Sequence, residues 1–268
     1  MYSKLIELCL IEIDKLNINI DKNRYKSKYT NEYYLNFIFY ILNDINKWSF
    51  ITKLKEYNSP FKYHYKTIYN KFLYWSNNSV FKNAFYNYLF NSNTNLLLID
   101  STSINNKYGS EDIVINPEYK KKKVTKLSII SNSKNFIHSI EAFDLKQKNN
   151  NYNTAIHDSK MIDKSLKNIK IKNKSKYFYL LGDKAYKTKN KYKLNNKNIL
   201  IITPDKKNTI IKNSYTKNKK LKKRIKVENV INKLKRFERI KTRKERNINT
   251  YMSFVYISAL INNINVNE

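Results

Sequence analysis

Up to about residue 90 the apolar side chains recur at three- and four-residue intervals; from Leu96 onward they arrive in short unbroken runs. The first spacing is that of an amphipathic helix, the second that of a buried strand. The change of period predicts a helical N-terminal part followed by a layered α/β part. "NEYYLNFIFYILNDI" (31–45) sets Leu35, Ile38, Phe39 and Leu42 at helical spacing, and "YKTIYNKFLYW" (65–75) does the same with Ile68, Phe72 and Trp75. "WSFITKLKEY" (48–57) and "FKNAFYNYLF" (81–90) read as shorter helices, with "NSP" (58–60) as a break. Short helices with polar turns and many Lys and Tyr suit a helix-turn-helix-like DNA-binding module over residues 1–92, or equally a plain helical bundle.

"NSNTN" (91–95) reads as a linker. After it, "LLLID" (96–100) has the pattern of a buried strand, and "KLSIIS" (126–131) with "FIHSIEAFD" (136–144) that of a hairpin. "HDSKMIDKSLKNI" (157–169) begins a helix, "YFYLLGD" (177–183) and "NILIITP" (198–204) are further strands, and Pro204 stops the last. Residues 216–240 read as one long basic helix and "TYMSFVYISALIN" (250–262) as a final apolar one. Residues 93–268 are therefore expected to form one α/β domain.

Charge narrows the class of partner. Lys and Arg number 53 against 21 Asp and Glu, a formal net charge of +32. Such a field attracts polyanions, nucleic acid before an anionic membrane. Lys, Asn, Ile, Tyr and Phe share A/T-rich codons, so part of the lysine reflects the genome. The same bias erodes glycine, and only Gly109 and Gly182 remain. The single cysteine, Cys9, excludes an intramolecular disulfide, and His64, His138 and His157 are scattered without cysteine partners, which argues against structural zinc. Glu7 and Glu12 interrupt the first apolar stretch, and no run approaches the ~18 residues of a membrane span. These features predict an intracellular, soluble, DNA-associated protein.

Two acids end apolar runs, Asp100 after "LLLI" and Asp183 after "YFYLLG". Functional groups of open α/β sheets gather at the carboxyl ends of strands. Two neighbouring carboxylates repel unless a divalent cation lies between them. Each Asp alone reads equally well as a loop residue capping the next turn. On a helical wheel of ~100° per residue, Glu228 lies at the edge of an apolar stripe between Arg224 and Lys235. Alone, Arg224 and Glu228 also read as an ordinary i,i+4 ion pair. Taken together, three carboxylates in a basic chain are the requirement of two-metal phosphoryl transfer on DNA.

With these residues in view, the chain from about Thr30 to Asn262 resembles the DDE transposases of insertion sequence family five. "LLLIDSTSI" (96–104) is similar to the family's first-aspartate block and "YLLGDKAYKT" (179–188) to its second. "RIKVENVINKLKRFERI" (224–240) resembles the third, with three residues between Arg224 and Glu228 and six between Glu228 and Lys235. Leu221 stands where the family usually has Tyr. "KVTKLSIIS" and "HDSKMID" look like the family's intervening segments, and the N-terminal helices like its end-recognition domain. The resemblance implies a ribonuclease H-like mixed sheet flanked by helices, with Asp100 on the first strand, Asp183 on the fourth and Glu228 on a packed helix. It implies that these three acids are catalytic and hold two Mg²⁺ ions, with Mn²⁺ able to substitute. Arg224, Lys235, Arg236 and Arg239 would contact DNA, and Gly182 would let the strand end approach the metals, the DNA or the Glu228 helix. The implied partners are double-stranded DNA, as element ends and target, and a second copy of the chain on DNA. A catalytically inactive DNA-binding relative and a nuclease indifferent to end sequence are the competing readings.

Overall fold

A computed structural model describes residues 2–17, 29–43, 48–49, 65–89, 94–116, 122–143, 158–169, 176–194, 197–205 and 215–267. The expected helix over 48–57 and the loop at 149–153 fall largely or wholly outside these residues, as does most of the expected linker.

Four helices lead the chain: α1 (Tyr2–Asn17), α2 (Asn31–Asn43), α3 (Tyr65–Asn77) and α4 (Val80–Tyr88). Then come β1 (Leu96–Asn106), β2 (Val114–Asn116), β3 (Lys122–Asn132), β4 (Ile137–Ala142) and α5 (Ile162–Leu166). Next are β5 (Tyr177–Leu181), β6 (Tyr192–Leu194), β7 (Lys197–Ile202) and α6 (Tyr215–Lys222). The chain closes with α7 (Ile225–Leu234), α8 (Glu238–Lys241), β8 (Thr242–Arg243) and α9 (Ile248–Asn267). The fold is mixed α/β, with a mixed sheet flanked by helices, as expected.

The sheet runs β2-β3-β1-β5-β7-β6, with β4 also on β3 and β8 also on β1. β1, β3 and β4 form an antiparallel meander, while β5 joins β1 and β7 joins β5 in parallel. The short β2 makes Asp183 follow the fifth strand in chain order rather than the fourth. β1 is also longer than its apolar run. Its polar second half, Ser101–Asn106, stays extended because β3 pairs it up to Asn105, so Asp100 lies within the strand and not at its end. The opposite edge of β1 is paired by β5 at Leu96–Leu98 and by β8 at Asn105–Asn106. Between them, residues 99–104 of that edge have no strand partner among the described residues, which leaves a notch in the sheet.

Side chains alternate across a strand, and β1 divides accordingly. Leu98 and Ile104 join the larger core, which contains α7, α9 and the N-terminal helices; Leu97 and Ile99 join a smaller core under α5. α9 is buried continuously from Thr250 to Ile264 because it is wrapped by α1–α4, α7, α8 and β4. An aromatic cluster joins the N-terminal helices to it, with Phe72 and Phe254 ring centroids 4.6 Å apart. The helices expected as a separate N-terminal module thus share one apolar core with the sheet. The edge strand β4 is closed by Asn263, whose Oδ1 accepts from the Ile137 N–H and whose Nδ2 donates to the Ile137 carbonyl, both at 2.8 Å. That side chain gives the edge the two hydrogen bonds a further strand would supply.

The expected long helix over 216–240 is three helices, separated at Lys223–Arg224 and at Lys235–Phe237. Phe237 is extended (φ −75°, ψ 119°), although neither Gly nor Pro marks the break. Left-handed backbone occurs at Ser79, Asp112 and Asn135, and at neither glycine.

Candidate active site

Three elements meet at the notch. The β1–β5 register ends with Leu98 paired to Leu181, so Asp100 and Asp183 each lie two residues past the last paired position of neighbouring strands. Asp100 Oδ1 accepts from the Ser101 N–H at 2.8 Å. Asp183 begins a 3₁₀ turn over Lys184–Tyr186, and its Oδ1 accepts from the Ala185 N–H at 2.6 Å. Each aspartate thus spends one oxygen on fixing its own rotamer and keeps the other available. α7 packs on β1 and β3 through Val227, Val230 and Leu234, which sets Glu228 on its upper edge. Arg224, at the start of α7, donates to Glu228 Oε1 at 3.2 Å.

The charges of these groups act on one another. Burial pushes the Asp100 carboxyl up to about 6. The Ser101 N–H and Arg224 pull it down, while the charges of Asp183 and Glu228 push it further up. Burial also lowers the Lys235 ammonium, and the charge of Asp100 acts against that shift. Asp100 therefore feels, or is felt by, four of the other seven expected site residues, Asp183, Glu228, Arg224 and Lys235. Lys235 caps the end of α7, where the helix dipole favours a cation. Arg236 is exposed beside it.

Arg239 is elsewhere. It is 3% exposed and ion-paired with Glu245 at 2.8 Å, its guanidinium over the Phe254 ring. The break after α7 turns it inward, so it serves the core rather than a phosphate. Gly182 also has another reason to be glycine. A Cβ there would meet the Tyr186 Cβ and Cδ2 at 2.8 Å, so the close neighbour is its own turn, not α7.

On the reverse face of β1, Asp158 accepts from Ser101 Oγ at 3.0 Å and pairs with Lys126. Tyr186 lies nearby, its hydroxyl pushed upward by burial and by the charges of Asp158, Asp100 and Asp183. Lys126 and Asp158 stand in the two intervening segments read from the sequence, but nothing in their spacing marks them as partners.

Among the described residues, no group of three or more His, Cys, Asp or Glu side chains is gathered closely enough to hold a metal ion as it stands. The donors at the notch nevertheless suit a hard dication. They are all carboxylate oxygens, and the desolvated Asp100 among like charges has the electrostatic demand that a cation meets.

A family described as DDE superfamily endonuclease matches residues 111–263, more than half of the chain. The chain belongs to the DDE superfamily endonucleases. The matched stretch contains Asp183, Glu228, Arg224 and Lys235, and Asp100 precedes it. The fold of this DDE endonuclease is similar to that of a piggyBac transposase, solved by cryo-EM as a synaptic complex with hairpin DNA. The likeness has a TM-score of 0.56 at 8% identity and covers 98% of this chain and 72% of that one. No curated protein matches the chain. Among the described residues, no helix of this DDE endonuclease is long and apolar enough to cross a membrane.

Proposed function

We propose that the chain is a DDE transposase of the kind found in insertion sequence family five. It would cut DNA at the inverted-repeat ends of its element and join the freed 3′-hydroxyl to target DNA. What supports this reading is that Asp100 and Asp183 follow the last paired positions of neighbouring strands, while α7, which carries Glu228 with Arg224 at its start and Lys235 at its end, packs on β1 and β3. Asp100, Asp183 and Glu228 would hold two Mg²⁺ ions. When bound, these supply activation of the attacking oxygen and neutralisation of charge on the leaving oxygen. Asp100 must be ionised for that role, and the local N–H groups of Ser101 and Ala185 hold both aspartates in fixed rotamers. Arg224 bridges Glu228 and a scissile phosphate, Lys235 faces the flanking phosphate, and exposed Arg236 continues the basic track. Two ends to be joined call for two such sites, hence a homodimer on DNA.

Asp100→Asn and Asp183→Asn are each expected to abolish Mg²⁺-dependent nicking of end-containing DNA while leaving its binding intact. Nicking at the wild-type rate by either variant would sink the assignment. Scrambled ends separate a transposase from a general nuclease. A wild-type protein that binds its ends but never nicks them with Mg²⁺ or Mn²⁺ would be the inactive relative.

A further inference from the structure

Beyond the notch, a cavity of about 420 Å³ opens between the end of β7 and α6. Among the described residues, it is lined by Lys187, Lys217 and Lys220 and by a single acid, Asp205. That acid is neutralised by Lys217 at 2.8 Å, so Lys187 and Lys220 leave the cavity with excess positive charge. Thr188, Thr203 and Thr216 add hydroxyls.

Its position relative to the acids is fixed by strand register. Leu98 pairs with Leu181, and Leu181 with Ile202, so the residues beyond these three form one row of Asp100, Asp183 and the end of β7. The Gly182 N–H donates to the Ile202 carbonyl at 3.2 Å, which ties the Asp183 turn to the cavity wall. Adjacent strands are ~5 Å apart, so the cavity begins about one strand spacing from Asp183. It also lies on the acids' side of the sheet. Lys220 sits 3.7 Å over the ring of Tyr179, which shares its face of β5 with Leu181 and the larger core.

We infer that this cavity is a nucleic-acid subsite that holds a backbone phosphate of the DNA strand next to the nucleotide at the carboxylates. The inference rests on the proposed reading of the notch as a DNA-cutting centre. Lys187 and Lys220 supply the charge, and the threonine hydroxyls donate to the phosphate oxygens. A strand leaving the notch toward β7 passes from an acidic site that needs cations to a basic one that needs anions.

The test is binding of a fluorescein-labelled DNA duplex in EDTA, followed by anisotropy over a range of salt. The double variant Lys187→Ala, Lys220→Ala is expected to bind about tenfold more weakly. Its salt slope should be shallower by about one, the change for one lost phosphate contact. Lys160→Ala with Lys167→Ala, which removes the same charge beside α5 on the other face, should change affinity less than twofold. Each single cavity variant should lose about threefold, which keeps the test meaningful if the double variant melts early. Equal losses from the two pairs, or none from either, overturn the inference. So does cavity-dependent binding of dAMP with unchanged duplex affinity, which would make it a free-nucleotide pocket. No step here requires cleavage. A protein that never nicks but shows cavity-dependent duplex binding refutes the transposase reading and keeps the subsite, and the converse result does the opposite.

Discussion

Asp100 carries the sharpest tension at the scale of single residues. Its carboxyl is raised from 3.8 to about 6, chiefly by burial. A group with a raised folded-state pKa stabilises the fold fully below its unfolded value, and that contribution is lost as pH climbs through the folded one. With divalent ions chelated, Asp100→Asn should therefore raise Tm at pH 7, by stability on the order of 3 kcal/mol. The gap should close between pH 6 and pH 4, as scanning calorimetry at stepped pH would show. A Tm difference independent of pH would mean that the ionised carboxylate is not under strain. Arg236 and Arg239 teach the complementary lesson. Three residues apart in a basic run, they are equivalent to a reader of the sequence, yet one is exposed and the other is ion-paired inside the core.

Among elements, the turn after β5 does the most positioning. Tyr186 folds back over Gly182, and the turn between them holds the Asp183 carboxylate through the Ala185 N–H. Gly182→Ala should cost about 1–3 kcal/mol in urea denaturation, because the crowding atom is a Cβ fixed to backbone and not a mobile side-chain end. An unchanged midpoint would show that the turn yields easily. The strands β3, β4, β5 and β7 were legible in sequence because their apolar runs are continuous or bounded by turn residues. The site acids were legible because each ends such a run or edges a helical stripe. The second half of β1 was not, since "STSINN" is polar and only pairing with β3 keeps it extended. The break between α7 and α8 was equally hidden, for no Gly or Pro marks it and the Arg239–Glu245 pair that follows it joins residues whose spacing carries no signal.

For the molecule as a whole, the N-terminal helices close the core as much as they could contact a partner. α9 is wrapped by α1–α4 on one side and by β4 and α7 on the other. Deleting residues 1–92 should strip that cover and leave 93–268 insoluble or without a cooperative urea transition. A soluble, cooperatively unfolding fragment would establish an independent catalytic domain instead. The two glycines add a wider consequence. Left-handed turns, where glycine is usually sought, are made here by Ser79, Asp112 and Asn135. Gly109 and Gly182 instead stand where an added methyl would strike the Arg243 guanidinium or the Tyr186 side chain. The chain accepts a side chain at its left-handed positions but not at these two close approaches, so its two glycines chart where the molecule has no room left.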